Sequence, residues 1–122
     1  MKFYFASRYR HREKLLKIAG LLTAQKHKVV SSWMRVDSLR PYEEHQKESK
    51  AMAARIEKEI KNCEVFVLIS DKAGTDMFVE LGIAIALKKK IYVVGKWNKR
   101  SLMHFHPQIK HVDTIEEVIS SC

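Results

Sequence analysis

A chain of 122 residues, 46% hydrophobic and 30% charged, has the length of one ordinary domain with a single core, and the span 1–122 is expected to fold as one unit. Its 23 lysines and arginines against 14 acidic residues leave a net charge of +9, which attracts phosphate-bearing ligands, nucleic acid or anionic membranes. Two cysteines, Cys63 and Cys122, are too few for a disulfide framework, Met1 to Ala6 is too short for a signal peptide's apolar region, and no run reaches the roughly 18 apolar residues of a membrane span, so a cytoplasmic protein is expected.

Lys2 to Ala6 has the composition of a first strand. Arg10 to Gln25 carries apolar residues at helical spacing and is predicted to bury Leu15, Leu16, Ile18, Ala19, Leu21 and Leu22. Lys28 to Trp33 reads as a second strand, and the polar segment from Met34 to Tyr42, with Pro41, is a long connection of the kind that forms a flap over a site. Glu43 to Asn62 is a charged helix with Met52, Ile56, Glu59, Ile60 and Cys63 near one face. Val65 to Ile69 is a continuous apolar strand, a helix follows from Thr75 or Asp76, and Ile91 to Val94 is the next buried strand. A polar connection through Trp97 and Phe105, a brief strand at Lys110 to Val112 and a helix from Thr114 complete the chain. The β-α alternation predicts an α/β protein, a three-layer Rossmann-like or flavodoxin-like sandwich around a five-stranded parallel sheet. Ligands of such sheets bind at the carboxyl ends of the strands.

Three loops fall at that end. Ser7 to Arg12, after the first strand, offers a hydroxyl and the three guanidinium groups of Arg8, Arg10 and Arg12 at a helix start, a setting that suits a phosphate. It lacks the glycines of a P-loop or dinucleotide fingerprint, and Arg10, His11 and Arg12 also fit a solvated helix face. In Ser70 to Asp76, Gly74 can take backbone angles closed to other residues, Thr75 or Asp76 can cap the following helix, and Asp71 can accept bonds from sugar hydroxyls or form a turn. Gly95 to Asn98 is the third. The cysteines and histidines have no metal-ligand spacing, so neither a metal nor a cofactor is assigned.

Glu80 stands out, as a carboxylate in the otherwise apolar helix between two buried strands. Desolvation raises its pKa while the helix amino end favours the anion, which suits a nucleophile or base, or equally a residue that makes an internal salt bridge or caps a loop.

Phe3-Tyr4-Phe5-Ala6-Ser7, the Asp71 to Thr75 loop, Val79-Glu80-Leu81-Gly82-Ile83-Ala84 and Lys90-Ile91-Tyr92-Val93-Val94-Gly95 together resemble the nucleoside 2-deoxyribosyltransferase family, which includes the 2′-deoxynucleoside 5′-monophosphate N-glycosidases. The resemblance covers nearly the whole chain. It implies a compact Rossmann-like fold, a nucleoside or nucleoside 5′-monophosphate as substrate, and cleavage or transfer of its N-glycosidic bond through a covalent glycosyl-glutamate on Glu80. Ser7, with Arg8 and Arg10, would handle the sugar or its 5′-phosphate, and Asp71, Gly74, Thr75 and Asp76 would line the substrate site. A homodimer is implied too, with the Trp33 region, Tyr42 or Phe105 touching the neighbour.

One position departs from the pattern. The family carries an aspartate where this chain has Ile56, and adjacent Glu57 projects about 100° away around the helix. Asp71, Asp76 or His45 are the candidates to replace it. The departure also motivates a second reading, a non-catalytic nucleotide-binding or sensing module. Nucleic-acid binding through the net charge ranks last, since basic residues clustered with interleaved aromatics are missing.

Overall fold

Five apolar stretches pair side by side in a computed structural model that describes residues 1–121; Cys122 lies outside the described residues. Strands β1 (Lys2–Ala6), β2 (Lys28–Val29), β3 (Val65–Ile69), β4 (Lys90–Val94) and β5 (Ile109–Val112) form one sheet in the order β2-β1-β3-β4-β5. Every pairing is parallel, with Phe3 opposite Val65, Val65 opposite Lys90 and Ile91 opposite Ile109. Parallel neighbours need crossover connections. Helices α1 (Arg12–Ala24), α2 (Gln46–Asn62) and α3 (Asp76–Ala86) supply the helical crossovers, and α4 (Ile115–Ser120) follows β5.

Successive strand residues point to opposite faces, which divides the core into two layers. Phe3, Phe5, Val65 and Val67 pack with Leu15, Ile18 and Leu22 of α1 and with Ile115 and Val118 of α4. Tyr4, Ala6, Phe66 and Leu68 face the other way, onto Ile60 of α2 and Met77, Leu81 and Ala84 of α3. The predicted three-layer Rossmann-like sandwich is the architecture observed. Because the chain runs from β1 outward to β2 and then returns to the other side of β1, the strand order reverses between β1 and β3. A crevice opens at such a reversal.

Several boundaries differ from expectation for local reasons. The first helix opens with a 3-10 turn at Tyr9–His11, and Leu21 is 63% exposed. At about 100° per residue, Leu15, Ile18, Ala19 and Leu22 share one stripe and Leu21 falls outside it. Strand β2 spans Lys28–Val29 alone, because beyond it the Phe5 N–H bonds to the buried Ser31 Oγ at 3.1 Å and the chain turns into a 3-10 turn at Trp33–Arg35. Helix α2 starts at Gln46, after a separate 3-10 turn at Tyr42–Glu44. The connection before it is anchored at both ends, since Tyr9 Oη donates to Val36 O and Tyr42 Oη to Asp76 Oδ2, each at 2.7 Å. Among the described residues no helix is long and apolar enough to cross a membrane.

Candidate active site

Alternation along β1 turns Tyr4 toward α3, and Glu80, one turn into α3, points back at it. Tyr4 Oη donates to Glu80 Oε1 at 2.5 Å, a short bond of the kind formed to an ionised acceptor. The Tyr4 ring is fixed by parallel stacking on Phe66, with centroids 5.5 Å apart. Glu80 is only 8% exposed. Burial disfavours its charge, and although the Tyr4 hydrogen bond works the other way, the charges of Asp76 and Glu59 add to the burial, so the carboxyl is pushed up to about 7. Burial, together with the Glu80 charge and bond, raises the Tyr4 phenol far above its usual range and keeps it a donor.

A second carboxylate acts on this pair, and it is not one of the expected replacements. Glu59 of α2 acts electrostatically on both Tyr4 and Glu80. Its Oε1 accepts from Ser32 N at 3.1 Å, its Oε2 accepts from Ser32 Oγ at 2.5 Å, and Arg55 Nε stands 3.7 Å away. Ile56, one turn earlier, packs against the apolar layer of α2 and α3. His45 lies at the exposed start of α2, 3.8 Å from Glu48, and about 20 Å along the helix from Glu59. Asp76 does influence Glu80, but its carboxylate accepts the Tyr42 hydroxyl. Thr75 is the N-cap of α3 by position and makes no side-chain capping bond.

The first and second loops meet at Asp71, which is 3% exposed. Arg8 Nη1 is 3.6 Å from it, Arg10 Nη2 3.1 Å, and His11 Nε2 3.0 Å, while the Lys72 N–H donates to Oδ1 at 2.7 Å. Desolvation opposes the charge of Asp71, yet His11, the Lys72 N–H, Arg10 and Arg8 outweigh it and hold the carboxyl below its usual range. Asp71 therefore anchors the basic loop. Arg10 keeps 60% of its side chain exposed and can still meet an anion, while Ser7 Oγ donates to Arg8 O at 2.8 Å.

Gly74 and Gly95 shape the other two loops. Gly74 sits at φ 136°, where a side chain is strained and a Cβ would meet Met77 Cε at 2.5 Å. Gly95 sits at φ 101°, with Ser70 Oγ filling the space a Cβ would need, and that same oxygen accepts from Trp97 N at 3.2 Å. Ser7, Arg8, Arg10 and Asp71 are thus one cluster, and Glu80 with Asp76 a second; both border the β1/β3 reversal. Tyr4 and Glu59 complete the second cluster. The signal for Tyr4 was a polar ring within an apolar strand, and for Glu59 an acid among the residues on the inner face of α2.

No family model matches the sequence, and no curated protein matches it. A solved structure does: CMP N-glycosidase BcmB from Clostridium botulinum, 16% identical, with a TM-score of 0.66 over 99% of this chain and 97% of that one. The chain therefore has the nucleoside 2-deoxyribosyltransferase-like fold that its sequence resemblance implies.

Proposed function

We propose that this protein cleaves the N-glycosidic bond of a nucleoside 5′-monophosphate, with Glu80 as the nucleophile. The observation that carries the reading is a buried carboxylate, held by the Tyr4 hydroxyl and with a pKa of about 7, beside the strand-order reversal where ligands of this fold class bind. An oxygen of Glu80 attacks the anomeric carbon. The bond to the base breaks, and the base leaves with the electron pair and takes a proton from solvent. Water or a second base then displaces Glu80, so two inversions retain configuration. Near neutral pH Glu80 is basic enough to attack, yet only partly protonated. Tyr4 holds the attacking carboxylate in place, and the exposed guanidinium of Arg10, with Arg8 and Ser7, is suited to the 5′-phosphate. That the structurally similar protein is a CMP N-glycosidase supports the same bond as the target here.

A homodimer in the cytoplasm and a single unit over 1–122 belong to this proposal. The exposed apolar side chains of Val79, Leu102, Met103 and Phe105 support a protein contact. Trp33 is less suited to one, since its Nε1 donates to Phe5 O at 2.7 Å and its ring packs on the core. Ile56 in place of an acid favours the second reading, a nucleotide-binding or sensing module that does not turn over.

The test is incubation with nucleosides and their 5′-monophosphates, with and without a second free base, followed by chromatography. Release without an acceptor identifies a hydrolase, and exchange that requires an acceptor identifies a transferase. Silence across the panel, with ligand-dependent thermal stabilisation, would instead establish the binding module.

A further inference from the structure

Glycoside cleavage with retention uses a nucleophilic carboxylate and, to resolve the covalent intermediate, a second group that acts as base toward the incoming water. Four acids come into question around Tyr4 and the first loop, and the geometry separates them. Asp71 is enclosed by Arg8, Arg10 and His11, which fix its charge and occupy its oxygens. Asp76 shares α3 with Glu80 and accepts the Tyr42 hydroxyl. Glu80 itself is the nucleophile under the proposal above. Glu59 remains: it is carried by α2, whose Ile60 packs in one layer with Tyr4 and with Met77 and Leu81 of α3, and its charge acts on Tyr4 and Glu80.

Its setting suits a base. The side chain is 14% exposed, enough to meet a water, and one serine fixes both oxygens: the Ser32 N–H donates to Oε1 at 3.1 Å and the Ser32 hydroxyl to Oε2 at 2.5 Å. A carboxylate oxygen has two lone pairs, so each oxygen keeps one after these bonds. Two bonds from Ser32 hold the carboxylate in a fixed orientation, a single arginine, Arg55, stands 3.7 Å from Oε2, and Oε1 keeps a lone pair for a water.

We infer that Glu59 is the general base of the second half-reaction, resting on the glycosidase reading of Glu80. Glu59 takes a proton from the attacking water as the water oxygen bonds to the anomeric carbon and the bond from that carbon to Glu80 breaks. Glu80 departs as carboxylate and Glu59 is left protonated, later returning its proton to solvent. In transfer to a second base, the N–H of that base replaces the water.

The experiment uses the full chain and whichever nucleoside 5′-monophosphate the wild type cleaves. General-base catalysis is worth about 100- to 10,000-fold, so Glu59→Gln is expected to slow steady-state turnover at least about 100-fold. The first equivalent of base should still appear as a burst, with a glycosyl adduct accumulating on the protein by intact mass. Azide needs no deprotonation and should restore turnover. Ser32→Ala removes the hydroxyl bond to Oε2 but leaves the backbone N–H bond to Oε1 and the carboxylate itself, and should lose less than about tenfold, which is below the general-base range. If Glu59→Gln does not fold, Glu59→Asp withdraws the charge by one methylene and should show the same burst. Turnover by a folded Glu59 variant at the wild-type rate, equal losses in Ser32→Ala and Glu59→Gln, or a loss without burst or azide rescue would each overturn the assignment. A wild type that cleaves nothing would overturn the glycosidase reading beneath it, a distinguishable result.

Discussion

Replacing Glu80 by glutamine should stabilise the protein at alkaline pH and do little at acid pH. Glutamine keeps an oxygen for the Tyr4 hydroxyl and removes the charge that burial disfavours. In the wild type the folded carboxyl titrates at about 7 against an ordinary value of 4.5. Its folded pKa is raised, so the associated stability is fully present below about 4.5, is lost as pH rises, and is gone once pH has passed 7. Each unit of that window is worth about 1.4 kcal/mol, so the stability gap between variant and wild type should widen by ~2.5 kcal/mol from pH 5 to pH 8. For a domain of this size that corresponds to roughly 10 °C in Tm. Urea or thermal denaturation of both proteins at the two pH values measures it. Packing differences between Glu and Gln do not depend on pH and cancel in the comparison. A gap that stays constant, or one that moves against the variant at pH 8, would refute the claim that Glu80 is a desolvated carboxylate.

Other substitutions test neighbouring parts of the argument. The Tyr4 bond lowers the Glu80 pKa, so Tyr4→Phe should move the rising limb of activity against pH upward by about one unit, given the worth of a hydrogen bond to a charged acceptor; an unmoved limb would detach Tyr4 from Glu80. Gly74→Ala should cost ~1–2 kcal/mol in denaturation experiments, since the residue sits at φ 136°, and a neutral or stabilising result would contradict that strain. Leu22→Ala should cost about 2–5 kcal/mol and Leu21→Ala under about 0.5 kcal/mol, as one is buried and the other 63% exposed. Similar values for the two would mean that the buried stripe of α1 is wrongly drawn.

Continuous apolar runs made β3, β4 and the helix between them legible in the sequence, because buried parallel strands and an apolar helix leave little polar alternative. The exposed edges were harder. Lys28 to Trp33 has strand composition, yet the ladder stops at Val29, and the Phe5 N–H beyond it bonds to a side-chain hydroxyl, a tertiary exchange that periodicity does not register. Leu21 continued the apolar count of the first helix but lies off its buried stripe. At the site, Glu80 was conspicuous because a charge in an apolar segment is costly. Its partners were not, because each arrives from a distant part of the chain. Glu59 looked like one more acid on a charged helix until Ser32 was seen to hold both of its oxygens. The arginines of one loop and Asp71 of another are legible separately, but their mutual neutralisation depends on how the loops after β1 and β3 meet.

The most direct measurement is intact mass of the protein mixed with a cleavable nucleoside 5′-monophosphate and quenched within a turnover, followed by peptide mapping. A sugar-phosphate adduct on the peptide bearing Glu80, lost in Glu80→Gln together with base release, is the expected result. Base release by Glu80→Gln at the wild-type rate, or an adduct mapped to another residue, would contradict the assignment of Glu80 as nucleophile.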